Sequence, residues 1–163
     1  MQTLNVFKLN KEATLPTRTN PTDAGLDIFS SETVFIPVGA TVVVKTGIAI
    51  QTPEGMIAKI EDRSGLASKG LRTGAGVVDA GFSGEVGVVM HNFSATHHSM
   101  NMVRGHAIQK GDKIAQVVLY NIHTPAVNEV SELWTSERGT NGFGASDNGQ
   151  QEKTTGRFGY FKK

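Results

Sequence analysis

Apolar residues along this chain recur in short runs or at every second position, the period of a strand with one face toward a core. Val86, Val88 and Met90 share one face of Glu85 to Asn92. Ile48 and Ile50 do the same in Gly47 to Gln51, a stretch stopped at Pro53. Val34-Phe35-Ile36 is closed by Pro37, Thr41 to Lys45 is a β-branched run, and Met56 to Ile60 is a further short stretch. Lys113 to Ile122 is longer and mostly apolar, which suits a strand buried on both faces. Helical pattern is sparse. The best candidate is a short turn at Ser64 to Lys69, with Ser64 as a possible N-cap and Gly70 as the stop. Val127 to Trp134 fits strand or helix equally on periodicity. Many short strands between Gly, Pro, Asn and Asp turns predict an all-β sandwich or barrel.

The length, 163 residues, predicts one domain with a core that needs no disulfides. The absence of cysteine excludes a thiolate nucleophile and a cysteine-ligated zinc site, and fits a reducing compartment. Sixteen basic and 15 acidic residues leave a net charge of +1, with no basic stripe to track a nucleic-acid backbone. Any bound phosphate would therefore meet a few placed groups. Met1 to Lys11 has no apolar leader core, and no apolar run approaches membrane-spanning length, so the expectation is a cytoplasmic protein without membrane contact. Asn92-Phe93-Ser94 matches a glycosylation acceptor by accident on this reading. Asn148 to Lys163 is polar and glycine-containing, and reads as a flexible tail whose aromatics leave room for docking.

Five segments combine charged residues and glycine beyond what turns require. In Asp23-Ala24-Gly25-Leu26-Asp27-Ile28, two carboxylates four apart can direct charge toward a metal-bound water. The plainer reading is a solvated turn. Asp62-Arg63-Ser64-Gly65-Leu66-Ala67 offers an Arg fork, a hydroxyl and a backbone N–H to phosphate, or else a capped short helix. Gly74 to Phe82 reads as a hairpin that holds a flat ligand against its backbone, with Asp79 aimed at a water and Phe82 packed on a sugar. An ordinary hairpin with an Asp-containing turn is the plainer reading. Gly74-x-Gly76 is no dinucleotide fingerprint, because no helix evidently follows. In Gly111-Asp112-Lys113-Ile114-Ala115-Gln116 the informative residue is Gln116, an amide inside an apolar run that wants a partner. Arg138 to Ser146 carries three glycines, an Arg, a Ser and Phe143, the makings of a nucleotide-wrapping lid or of a flexible tail.

Singly these are weak. In order and spacing, from residue 23 to 146, they resemble the five motifs of the trimeric dUTPase family. Arg63-Ser64-Gly65-Leu66-Ala67, Gly76-Val77-Val78-Asp79 and Gly111-Asp112-Lys113-Ile114-Ala115-Gln116 carry the resemblance most specifically. It implies a jelly-roll-like β domain over residues 1–147, including a closing arm at 136–147, followed by the tail at 148–163. It also implies a homotrimer whose active sites are shared between subunits, and a magnesium-dependent hydrolysis of dUTP to dUMP and pyrophosphate. Asp79 then matches the carboxylate that activates the attacking water, and Phe82 the aromatic, usually Tyr, under deoxyribose. Gly76 and Val77 match the uracil-reading hairpin, and Asp27 the carboxylate linked to Mg2+ through water. Arg63, Ser64, Gly65 and Gln116 match phosphate binders. Arg138, Phe143, Gly144 and Ser146 match the closing arm.

The chain departs from the family pattern at Phe82, which lacks the usual hydroxyl, and at Asn141, Ala145 and Asp147, which predict a less tightly closing arm. Residues 93–109 form a longer connection than usual. Thr96-His97-His98-Ser99 is expected at an exposed hairpin tip, where two histidines without a third ligand read as solvated surface. By family analogy this insert is also a candidate surface for a regulatory protein partner. Two other functions compete: a dCTP deaminase-like relative, told apart by ammonia release from dCTP, and a non-catalytic, nucleotide-switched regulator, which would not need Asp79, Arg63 and Gln116 together.

Overall fold

The computed structural model describes residues 3–94, 105–137 and 139. Eleven strands and one helical turn follow in chain order: β1 (Asn5–Lys8), β2 (Leu26–Phe29), β3 (Val34–Pro37), β4 (Thr41–Val44), β5 (Ile48–Gln51), β6 (Met56–Glu61), α1 (Ser64–Ala67), β7 (Leu71–Gly74), β8 (Val77–Val78), β9 (Val88–Asn92), β10 (Gly105–Ile108) and β11 (Lys113–Asn121). Every strand pair is antiparallel. The largest sheet runs β2-β11-β6-β8, a three-stranded sheet runs β4-β9-β7, and β1-β5 and β10-β3 form two-stranded ribbons.

The alternation read from the sequence places the core. Ile48, Ile50, Val86, Val88 and Met90 are all fully covered and join Ile28, Ile36, Ile60, Leu71, Ile114 and Val117 in one cluster. In β11 an irregularity between Lys113 and Ala115 buries Ile114 and Ala115 in succession. That gives β11 apolar burial on both faces at its start, whereas its last two residues are exposed.

One expectation needs correction. Ser64 is the first residue of α1, not its cap. The N-cap position belongs to Arg63, whose backbone is extended (φ −91°, ψ 126°) and whose side chain caps nothing. The hairpin tip expected at residues 96–99 lies outside the described residues; the strands on either side of it, β9 and β10, pair with β4 and β7 and with β3 respectively. Asn92 of the glycosylation match is buried, with its side-chain amide donating to the Ile36 carbonyl at 2.9 Å.

The chain divides into a unit over Met1–Pro125, which holds all the described strands, and a unit over Ala126–Lys163. In the second unit, Val127 to Trp134 forms neither helix nor strand. Val127, Val130, Leu133 and Trp134 are all exposed within the single chain, so the apolar contacts that would select either form are missing there.

Candidate active site

Two groups of candidate residues form in the first unit. The first surrounds the bend between β7 and β8. Ala75 and Gly76 both take left-handed backbone, with φ of 54° and 91°. A Cβ on Gly76 would lie 2.7 Å from the Ile60 carbonyl oxygen, so the position requires glycine. The Gly76 carbonyl accepts from the Ile60 N–H at 2.8 Å, and β8 is an edge strand. Because successive residues turn their amides to opposite edges, Val77 directs its N–H and C=O to the open side. Lys59 Nζ donates to the Ala75 carbonyl at 2.7 Å and Thr52 Oγ1 to the Val78 carbonyl at 3.3 Å, which pins the bend.

A cavity of about 220 Å³ opens beside this bend, lined by Ile60, Gly76, Val77, Asp79, Phe82 and Glu85 among others. This is below the roughly 300–1,000 Å³ of pockets for drug-sized ligands, and suits one flat ring with part of a sugar. Phe82 stands at the rim, its N–H donating to the Asp79 carbonyl at 3.0 Å. A Cβ on Gly84 would come within 2.7 Å of the ring, so glycine there makes room for Phe82. Two carboxylates line the cavity. Glu85 already accepts from the Gly47 N–H at 2.7 Å. Asp79 is exposed, and among the described residues no ion pair engages it. A larger cavity of about 700 Å³ that also borders Phe82, reaching Val6, Phe7 and Ile50, has no charged lining residue to meet a triphosphate.

The second group lies on β2, β11 and the loop before α1. Asp27 is opposite Gln116, and Lys113 opposite Phe29, so Asp27, Gln116 and Lys113 share one face. Asp27 is not the solvated turn residue of the plainer reading. Arg63 Nε lies 3.0 Å from its Oδ1 and Lys113 Nζ lies 2.7 Å from its Oδ2. Asp23, by contrast, closes a turn by accepting from the Asn20 N–H at 2.9 Å. Gln116 finds the partner its setting demanded: Nε2 donates to the Asp62 carbonyl at 2.8 Å. Gly25 leaves room for that amide, since a Cβ there would sit 2.2 Å from Gln116 Oε1. Ser64 and Gly65 are exposed beside Arg63. A cavity of about 510 Å³ next to them is lined by Arg63, Lys69, His106 and Lys113, with Asp112 as its one carboxylate. That balance favours an anion.

Sequence reasoning quoted Lys113 and Asp62 without giving either a role. For Lys113 the usable signal was a cation three positions before Gln116. Asp62 has none in the sequence, because its partners come from β7. Burial pushes the Asp62 carboxyl up, but the N–H and hydroxyl of Thr73 and the Arg72 guanidinium outweigh it and hold its pKa below the ordinary 3.8. Arg138, Phe143, Gly144 and Ser146, together with Asn141, Ala145, Asp147 and the tail at 148–163, lie outside the described residues.

The sequence profile of the dUTPase family matches residues 11–147. The chain belongs to the dUTPase family. The deoxyuridine 5'-triphosphate nucleotidohydrolase of Oryza sativa subsp. japonica is 40% identical over 144 residues, covering 88% of this chain and 80% of its own. That of Paramecium bursaria Chlorella virus 1 is 41% identical, with 90% and 99% covered. Among solved structures, the dUTPase of Staphylococcus bacteriophage 80alpha with dUpNHpp is 35% identical, with a TM-score of 0.77 over 90% of this chain and 99% of that one. A mutant dUTPase from phage phi11 of S. aureus, in which a structural Mg(II) ion is coordinated, has a TM-score of 0.72 at 34% identity, covering 80% and 98%. The all-β architecture is thus the dUTPase fold, and the family match does not favour the deaminase-like alternative.

Proposed function

We propose that this chain hydrolyses dUTP to dUMP and pyrophosphate, as a homotrimer whose sites are completed between copies. One observation carries the shared-site reading. Asp79 follows β8 at one edge of the four-stranded sheet and Asp27 sits on β2 at the other, with β6 and β11 between them. Three strand spacings, roughly 14 Å, separate Asp79 from Asp27 across the sheet within one chain. A second copy that presents its cluster to this cavity would close the gap, and the arm at 136–147 would cover the result.

In this reading uracil lies in the cavity by Gly76, with the open Val77 amide groups reading its edge. Cytosine presents a donor where uracil presents an acceptor, and the unpaired buried group costs about 1–3 kcal/mol. Phe82 packs on the deoxyribose. Arg63, Ser64, Gly65 and Gln116 hold phosphate oxygens, and Arg138, Phe143, Gly144 and Ser146 close over them. Asp79 takes a proton from water as its oxygen bonds to the α-phosphorus. The bond from that phosphorus to the bridging oxygen then breaks, and pyrophosphate leaves.

The donors present fit magnesium brought in on the triphosphate. Among the described residues there is no cluster of three His, Asp or Glu to cage an ion, and Asp27 is already held by two cations. Asp27 would meet the ion through water. The ion would neutralise developing phosphate charge.

Pyrophosphate release from dUTP, dTTP, dCTP and UTP with magnesium tests the proposal, for the wild type and Asp79→Asn. Activity confined to dUTP and lost on substitution is the expected result. Equal activity on all four would overturn the uracil-reading role of the bend, and binding of dUTP without hydrolysis would favour the regulatory reading.

A further inference from the structure

We propose that Asp62 is a positioning residue that locks the Arg63–Gln116 cluster to the strand leading into the base-reading bend. The idea rests on the phosphate role just assigned to that cluster. Asp62 engages three parts of the candidate machinery. It is covalently joined to Arg63. Its carbonyl accepts from Gln116 Nε2 at 2.8 Å. Its carboxylate reaches β7, where Oδ1 accepts from the Thr73 N–H at 2.6 Å and the Thr73 hydroxyl at 2.9 Å, and Oδ2 accepts from Arg72 Nε at 2.9 Å. Thr73 is followed at once by Gly74, Ala75 and Gly76.

These contacts differ in weight. The Arg72 side chain is 61% exposed, so its ion pair with Asp62 contributes little. The Thr73 pair is part-buried and fixes both oxygens' orientation through one of them. The carboxylate thereby holds the Asp62–Arg63 peptide, and that peptide's carbonyl sets the direction of the Gln116 amide. The half-site that meets phosphate and the half-site that meets the base are therefore tied within each chain through one carboxylate.

The test compares Asp62→Ala, Asp62→Asn, Thr73→Val and Arg72→Ala on dUTP hydrolysis, each also in a Gln116→Ala background. Asp62→Ala should lower kcat/KM about tenfold, the scale of one lost hydrogen bond, with KM carrying most of it. Asp62→Asn keeps an acceptor for Thr73 and should fall between. Thr73→Val should move the same way by less, and Arg72→Ala should stay within about twofold. In the Gln116→Ala background the Asp62→Ala loss should shrink to about twofold, because coupled residues are not additive. Undiminished loss in that background, or wild-type kcat/KM for Asp62→Ala, overturns the assignment. Should Asp62→Ala unfold, Thr73→Val must still show the background dependence. Calorimetric binding of inorganic triphosphate to the same variants separates this result from the proposed activity: weaker binding by Asp62→Ala supports positioning even if the wild type leaves dUTP intact, and equal binding counts against it.

Discussion

Arg63 reaches from the loop before α1 to bring Nε within 3.0 Å of Oδ1 of Asp27, a residue two strands away across β11 from β6. Lys113 holds the other oxygen at 2.7 Å. The trio carries one surplus positive charge. The arrangement keeps two cations preset for an anionic chain, and the carboxylate between them limits how tightly they bind it when no divalent ion accompanies it.

Asp27→Asn should therefore have opposite effects on two measurements. Freed of their anion, Arg63 and Lys113 should bind dUTP more tightly in the presence of a chelator. With magnesium, turnover should fall by on the order of tenfold or more, about 1.4 kcal/mol or more of lost stabilisation. Titration calorimetry without magnesium and initial rates with it give the comparison. If both quantities fall together, Asp27 is a scaffold for the two cations and nothing more.

Gly76→Ala should damage stability and binding at once. Its φ of 91° is costly for any side chain, and the new Cβ would press on the Ile60 carbonyl that faces the same bend. A loss of about 1–3 kcal/mol in urea denaturation is expected. Retention of full stability would mean that the bend relaxes, and the requirement for glycine would be withdrawn.

Asp62 also predicts a dependence on pH. Its folded-state pKa lies below 3.8, so its stabilising contribution is complete above that value and disappears as pH falls through the lowered one. Asp62→Asn should cost stability at neutral pH, and the gap between variant and wild type should narrow below pH 3.8. Denaturant midpoints measured on both sides of that value decide it. A gap that stays constant would show that the ionised carboxylate is not what stabilises.

Trp134 is the only tryptophan and is 79% exposed in the single chain. Together with Val127, Val130 and Leu133 it forms an apolar stretch that the proposed trimer should cover. Its emission should be blue-shifted at high protein concentration and move toward that of hydrated tryptophan on dilution past dissociation. Hydrated emission from a species of trimer mass would show that this stretch stays in water.

Much of the fold was legible because burial and alternation coincide. Val88 and Met90 share the covered face of β9 and Ile48 and Ile50 that of β5, whereas Val86 is buried just before β9 begins. Strand partners were not legible, since a period of two says which face is buried and nothing about which neighbour pairs. The cap at Ser64 failed because a capping side chain and a first-turn hydroxyl look alike in sequence, and only backbone angles separate them. At the site, Gly76 and Asp79 announced themselves by residue type. Lys113 and Asp62 act through partners that are distant along the chain, Asp27 and Thr73, which only the sheet brings near.

The brevity of β8 has a consequence for solubility. An unpaired strand edge invites other chains to add to it, and longer edges risk fibrous association. Two residues, ended on one side by the left-handed Ala75–Gly76 bend, give an intruding strand almost nothing to grip. Under the proposed uracil-reading role, the same short edge would offer bare main-chain polarity to a nucleobase while denying it to another polypeptide.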